Sequence, residues 1–329
     1  MAIAAKRVGI ALLTLLLVTS VTFVIIRSMP GDPIQQLANE LTHNQAISYD
    51  EAYERVKSYY NYDPDLPMGQ AFIEYLGSLL RGDLGKSMLY QVSVNEILAK
   101  ALPWTLLILA TSLLLSFGLG AFLGMVVAWR RRTALDPVMT FYAAFTGATP
   151  DYITALVLLI VFAINLGWFP VRGAYESGLV IGFNWPFVKS VLHHAMLPII
   201  AFTFENTAAW TLSMKGSAVS VLGEDYIAAA RARGLKEGRI MTRYLGRNAI
   251  LPMVTGLAIS LGSMLGGSTL IEYYFSYPGV GYFFSEAIRR RDFGMMQGLF
   301  LFQAAAVILA NLVADLVYAR LDPRIKMES

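Results

Sequence analysis

The residues of this chain that could do chemistry are carboxylates and histidines placed in or beside long apolar stretches. Asp151, Glu205 and Asp315 each interrupt such a stretch, and His193 adjoins His194. A carboxylate kept from water is costly, and in membrane proteins such groups serve ion coupling, proton relay or solute pathways. Adjacent histidines on a helix point in different directions and no third ligand is evident, so they do not favour a metal site.

Enzyme chemistry finds little support in the residue types. The 329 residues include no cysteine, which excludes disulfide frameworks, thiolate metal sites and cysteine nucleophiles. The sequence lacks H-E-x-x-H, G-x-S-x-G and the G-x-x-x-x-G-K-[ST] loop that holds nucleotide phosphates. We therefore expect no nucleotide site in this chain, and the net charge of +3 is too small to indicate nucleic acid.

The elements expected to position these carboxylates are six long apolar stretches. The chain is 56% apolar and only 15% charged, whereas soluble domains are about a quarter charged. A helix of about 20 apolar residues crosses the hydrocarbon core of a bilayer. The predicted spans are 8–26, 103–128, 138–165, 195–213, 250–271 and 299–318. The expected fold class is an all-α membrane protein with six transmembrane helices.

The first span could also be a secretory signal, because Lys6 and Arg7 precede it. Its length exceeds that of a usual signal core, and residues 27–30 offer no A-x-A-like cleavage site. We expect a retained anchor.

The distribution of Lys and Arg predicts the orientation of the spans. With both termini cytoplasmic, the cytoplasmic segments are 1–7, 129–137, 214–249 and 319–329. They hold 15 of the 26 basic residues in 63 positions, and the other 11 are spread over about 130 positions. This asymmetry places both termini in the cytoplasm.

The sequence divides into residues 1–26, an extracytoplasmic segment 27–102, and a five-span core 103–329 with a cytoplasmic loop at about 214–249. Segment 27–102 is too long for a simple connector. Ser48 and Glu51 form a capping box for a helix to about Tyr60. A second helix presents one apolar face and is ended by Gly82. The residues of that face are Phe72, Ile73, Leu76, Leu79 and Leu80. We expect a helical cap on the outer surface.

Polar or adaptable side chains within the spans are candidates for lining a pathway. Asp151 and Glu205 are the charged ones, although structural pairing inside the bundle explains them equally well. Ser260, Ser263 and Met264 on the fifth span complete the set. Asp315 lies near the inner end of its span, where snorkelling or pairing with Arg320 accounts for it.

Two pairs of glycines four residues apart predict close helix packing. They are Gly120 with Gly124, and Gly262 with Gly266. Small residues at this spacing let helix backbones approach closely in lipid.

The cytoplasmic loop contains a compact helix. Asp225 is the expected N-cap, alanines follow, and Gly234 suits the left-handed position after the last turn. A second helix over about 236–248 repeats arginine every four residues, at Arg239, Arg243 and Arg247, on one face. A basic loop near anionic lipid explains the second helix. It does not explain the first, whose exposed ends suit docking into a groove on a partner.

This segment resembles the EAA loop of ABC-importer permeases. Residues 225–235 read D-Y-I-A-A-A-R-A-R-G-L and 247–252 read R-N-A-I-L-P, which is similar to the dipeptide, oligopeptide and nickel permease group. Ala228 stands where the general pattern has glutamate, a departure shared by the peptide-type subgroup. P-G-D-P at 30–33, G-D-L-G-K-S at 82–87 and L-P-W-T-L at 102–106 match the same group in order.

The resemblance implies a type I importer permease in a bacterial or archaeal plasma (inner) membrane. Its implied partners are a homologous second permease, two cytoplasmic subunits that bind ATP and Mg, and an external solute-binding protein. The chain itself would hold no cofactor. The residues implied for docking on the ATPase are Asp225, Tyr226, Ala229, Ala230, Arg233, Gly234 and Leu235.

A stand-alone secondary transporter or channel is the alternative. It would use the intramembrane carboxylates for ion coupling and would need no ATPase. Such proteins often show internal repeats, and no convincing match relates the first three spans to the last three. The solute is left open among peptides, nickel complexes, glutathione and oligosaccharides.

Overall fold

Four long helices dominate the computed structural model, which describes residues 2–29, 33–45, 47–60, 66–130, 133–263 and 269–321. They are α1 (Ala2–Arg27), α5 (Val94–Trp129), α8 (Trp185–Leu222) and α15 (Phe293–Leu321). Each contains a stretch long and apolar enough to cross a membrane. The other described elements are also helical, so the all-α prediction is confirmed for this part of the chain.

The predicted third span is not a single straight helix. It consists of α6 (Leu135–Ala148) and α7 (Asp151–Leu158), the latter continued by a π-helical segment (Leu159–Asn165), and the two halves meet at 101°. Pro150 causes the break, because proline lacks an N–H and forces the preceding Thr149 into an extended conformation. Counted as one span, this pair brings the described candidates to five.

Two described helices correspond to the predicted fifth span, α12 (Leu251–Ser263) and the short α13 (Thr269–Tyr274). Residues 264–268, which include the predicted pathway residue Met264, lie outside the described part of the chain.

Helices α5 and α8 pack closely, and Gly120 and Gly124 permit the close approach. A Cβ atom added at Gly124 would lie 2.7 Å from Met214 Cβ and still closer to the Thr211 carbonyl. One added at Gly120 would lie 3.0 Å from the Thr207 carbonyl. The predicted role of this glycine pair in close packing is confirmed, whereas Gly266 of the second pair lies outside the described residues.

Segment 27–102 contains α2 (Pro33–Gln45), α3 (Tyr49–Tyr60) and α4 (Met68–Leu80). One half of the predicted capping box is confirmed, since Ser48 Oγ accepts a hydrogen bond from the Glu51 N–H at 3.2 Å, while Glu51 Oε1 accepts from Arg55 at 2.7 Å. Helix α4 packs on the Arg27 end of α1 through Phe72, whose ring centroid lies 5.2 Å from that of Phe23. We call this end of the bundle the cap end.

A hairpin of residues 82–93 is fastened to the first turn of α15. Asp292, only 2% exposed, accepts hydrogen bonds from Ser87 Oγ at 2.5 Å and from the N–H groups of Leu89 and Met295, each at 3.0 Å. A Cβ atom at Gly298 would lie 2.6 Å from the Leu84 carbonyl, so glycine permits this close approach. The G-D-L-G-K-S stretch therefore joins the cap end to the bundle.

Candidate functional site

A short helix, α9 (Asp225–Ala232), lies at the end of the bundle opposite the cap. Its side chains Ile227 and Ala230 are 1% and 3% exposed. They pack with Ile240 against Trp129 and Leu222, which end α5 and α8. Helix α9 is therefore seated on the ends of two closely packed long helices.

The C-terminal end of α9 is a Schellman motif. Gly234 has φ +70°, its N–H donates to the Arg231 carbonyl at 2.9 Å, and the Leu235 N–H donates to the Ala230 carbonyl at 3.3 Å. The predicted left-handed role of Gly234 is confirmed. No heavy atom lies within 4 Å of a Cβ built there, so glycine is required for its backbone conformation and not for space.

The N-terminal end differs by one residue from the prediction. The N-cap is Glu224, whose backbone is extended and whose carbonyl accepts from the Ile227 N–H at 3.0 Å. Asp225 instead lies in the first turn, where its negative charge still favours the helix dipole.

The side chains proposed for docking divide into two groups. Asp225, Tyr226, Ala229, Arg233 and Gly234 are exposed. Ala230 faces inward, and Leu235 is half-buried against the same small core, which corrects the expectation that Leu235 is exposed. The sequence analysis missed the anchoring role of Ile227, although its spacing of three residues from Ala230 was the signal.

Arg231 is held within this chain. Its guanidinium lies 5.4 Å from the centroid of the Trp129 ring, and its Nε lies 3.5 Å from Glu237 Oε1. Arg233, the C-cap residue of α9, is exposed.

The predicted second helix over about 236–248 is present, but it is not α-helical throughout. It comprises α10 (Glu237–Arg239), a π-helical segment (Ile240–Gly246) and α11 (Arg247–Ala249). Ile240 and Leu245 are both fully buried although five residues apart. An α-helix would separate them by about 140° around its axis, whereas i→i+5 hydrogen bonding brings both inward.

A cavity of about 860 Å³ lies between α5, α7, α8, α12 and α13. It brings together three of the predicted pathway residues, Asp151, Glu205 and Ser260. The side chain of Ser263 and the whole of Met264 lie outside the described residues. The sequence analysis missed Asn206 and Ser213, which line the same cavity. Ser213 lies eight residues after Glu205 on α8 and so on nearly the same face, which was its signal, whereas Asn206 directly follows Glu205 and gave none.

The cavity has a negative character. Asp151 begins α7 directly after the bend, and Glu205 lies near the middle of α8. Glu205 Oε1 is buried and makes no hydrogen bond of normal geometry with the described residues. Among the described lining residues there is no lysine, arginine or histidine. Such a cavity favours cationic groups and hydrogen-bond donors.

The two histidines serve local structure. His193 Nε2 lies 3.0 Å from the Trp168 carbonyl, and His194 Nδ1 lies 2.8 Å from the Ser190 carbonyl. Their rings are inclined at 82° to one another. His194 therefore bonds one turn back within α8, and His193 joins α8 to the connection that precedes it.

This geometry describes a helical protein with a polar cavity between its helices and a short helix seated at one end of the bundle. Residues 120–327 match the family described as binding-protein-dependent transport system inner membrane component. The chain belongs to this family.

Relatives match along nearly the whole chain. The oligopeptide transport system permease protein AppB of Bacillus subtilis is 31% identical over 322 residues, covering 98% of each chain. The di/tripeptide transport system permease protein DppB of Pseudomonas aeruginosa is 30% identical and covers 98% of each. The dipeptide permease DppB of Escherichia coli K12 is 30% identical, covering 98% of this chain and 97% of its own.

These findings decide between the two transport hypotheses. The chain is a permease subunit of an ABC importer and not an enzyme. The comparisons favour this function over that of a stand-alone secondary transporter or channel. Membership in this family implies a solute-binding protein and an ATPase as partners.

Proposed function

We propose that this chain forms one half of the pathway of an ATP-driven importer for peptides or similar small solutes, and that α9 is the element through which ATP drives it. The main support for this proposal is the way in which α9 is attached to the bundle. Ile227 and Ala230 fix it to the ends of α5 and α8, while Tyr226, Ala229 and Arg233 stay exposed. A helix so mounted transmits a displacement to the bundle without being deformed itself.

The proposed assembly contains this chain, a homologous second permease, two ATPase subunits and an external binding protein. ATP and Mg bind to the ATPase subunits. Six spans cross the bacterial or archaeal inner membrane, the bent α6–α7 pair counting as the third and α12–α13 as the fifth. Both termini are cytoplasmic, as the basic residues favour, and the cap end faces outward.

The cavity is the proposed section of the pathway within this chain. A volume of about 860 Å³ accommodates a solute the size of a short peptide. Asp151 and Glu205 suit a protonated amino group, and Ser260 and Asn206 offer neutral hydrogen bonds. The substrate names of the relatives, all oligopeptide, dipeptide or tripeptide, support a peptide-type solute.

Expression with its neighbouring subunits tests this function. We expect the ATPase subunits to co-purify with the chain, and vesicles containing the complex to accumulate solute only with ATP and the binding protein. Uptake by the isolated chain driven by an ion gradient would refute the proposal.

Replacing Glu205 with glutamine tests the role of the cavity. Loss of one carboxylate–ammonium interaction is worth on the order of 1.4 kcal/mol, or about tenfold in affinity. We therefore expect about a tenfold higher KM for a dipeptide with a free amino terminus and little change for its N-acetylated analogue. Glu205→Asp, which keeps the charge, should restore part of the affinity. Equal effects of Glu205→Gln on both solutes would remove Glu205 from substrate recognition.

A further inference from the structure

A buried carboxylate at the cap end joins three helices. Glu272 lies on α13 and is completely buried. Its Oε2 accepts hydrogen bonds from the Gly281 N–H at 2.8 Å and from the Thr105 hydroxyl of α5 at 3.2 Å. Thr105 Oγ1 in turn accepts from the Val280 N–H at 2.8 Å.

The third helix is α14 (Val280–Arg290), whose first two N–H groups are those just named. The carboxylate thus compensates the positive end of the α14 dipole. The preceding Gly279 allows the contact, since a Cβ atom there would lie 2.7 Å from Glu272 Cδ and 2.5 Å from Thr105 Oγ1. A second bond, from Ser285 Oγ to the Thr269 carbonyl at 3.1 Å, holds α14 beside the start of α13.

The surroundings of this junction exclude water. Tyr277, in the turn between α13 and α14, is fully buried and meets the Trp104 ring edge-on with centroids 5.9 Å apart. Burial, and secondly the charge of Glu272, raise the pKa of the Tyr277 hydroxyl, so this residue stays neutral. Hydrogen bonds in such a dry site hold their geometry firmly.

Helix α13 also forms part of the cavity wall. Thr269 and Leu270 line the cavity. Tyr274 stacks on Tyr152, the neighbour of Asp151, with ring centroids 6.1 Å apart. The position of α13 therefore affects both the cavity and the start of α7.

We propose that Glu272 is a positioning residue of the transport cycle, which locks α13 and α14 into one unit fastened to α5 and so sets the cavity wall. This inference rests on the proposed function. When the pathway opens at the cap end, α13 moves together with α14 and the start of α5. Without the carboxylate, α13 moves independently of them, and ATP hydrolysis no longer drives an ordered opening.

The test uses the assembled importer with Glu272→Ala, Glu272→Gln and the near-isosteric Thr105→Val, which removes a hydroxyl. Thr105→Ser keeps the hydroxyl and is the matched control, and Glu176→Gln tests an exposed carboxylate. We expect Glu272→Ala and Thr105→Val to raise the number of ATP molecules hydrolysed per solute at least fivefold at unchanged ATPase rate. Both controls should match the parent protein, and Glu272→Gln should fall between. If Glu272→Ala does not assemble, the comparison of Thr105→Val with Thr105→Ser tests the proposal.

A second readout needs no transport. The chain has no cysteine, so Tyr152→Cys with Tyr274→Cys reports the separation of α7 and α13 through a short bifunctional crosslinker. We expect one efficient crosslink in the parent background and a lower yield when Thr105→Val is added. Unchanged crosslinking together with an unchanged ATP-to-solute ratio would overturn the role of Glu272. If the parent complex shows no ATP-driven uptake at all, the proposed function is wrong. The crosslink still tests whether Glu272 and Thr105 hold α13 in place.

Discussion

Gly234→Val is expected to abolish ATP-driven uptake while leaving the chain inserted in the membrane. Gly234 adopts φ +70°, and a β-branched residue in that conformation costs on the order of 1–3 kcal/mol. The α9 helix has only eight residues, so the strain is relieved by opening its last turn, which includes the bond from Leu235 to Ala230. Uptake into vesicles should fall at least tenfold, and the amount of membrane-inserted chain should change less than twofold.

Gly238→Val is the control for this substitution. Gly238 lies in the same segment, has open space around a built Cβ, and adopts an ordinary helical backbone conformation. Gly234→Asn is a second comparison, because asparagine tolerates the left-handed conformation. We expect both variants to retain most of the uptake. Near-normal uptake by Gly234→Val would reject the assignment of α9 as the coupling helix.

Gly124→Val should destabilise the bundle at the contact between α5 and α8. The new side chain would meet the Thr211 carbonyl and Met214 Cβ, and a helix backbone cannot move aside locally as a flexible side chain can. Overpacking of this kind costs about 1–3 kcal/mol or more, and here it separates the two helices on which α9 is seated. We expect a several-fold loss of monodisperse protein after detergent extraction, and a thermal midpoint lower by several degrees in what remains.

Gly118→Val provides the comparison on the same helix. No heavy atom lies within 4 Å of a Cβ built at Gly118, so this substitution should leave yield and thermal midpoint almost unchanged. Equal losses from both substitutions would mean that helix propensity, and not the contact with α8, determines the effect.

Sequence patterns predicted the elements whose cause is local. The N-cap bond of Ser48 and the left-handed Gly234 follow from short-range hydrogen bonds and backbone geometry, and both are present. Long apolar runs located α1, α5, α8 and α15. Helices α5 and α8, at 36 and 38 residues, extend beyond the spans that bilayer thickness predicts.

Features that depend on tertiary contacts were not predictable. The π-helical turn at Ile240–Gly246 depends on which side chains reach the core. The break at Pro150 has a local cause, but the size of the bend, 101°, depends on how the two halves pack. The role of Glu272 was missed because it directly follows the predicted fifth span, and its partners Thr105 and Gly281 are remote or unremarkable in sequence. Asp151, Glu205 and Ser260 could be proposed one by one, but their shared cavity emerged only from the packing of five helices.

Site-specific crosslinking at Ala229 tests the account most directly. Because the chain has no cysteine, Ala229→Cys introduces a single thiol on the exposed side of α9. A short heterobifunctional crosslinker in the assembled importer should join it to an ATPase subunit, with a yield that changes when ATP is bound. Thr133→Cys, exposed in the turn before α6, should give little product with that subunit. Equal crosslinking from both positions, or none from Ala229→Cys in a complex that transports, would contradict the proposal that α9 couples the permease to its ATPase.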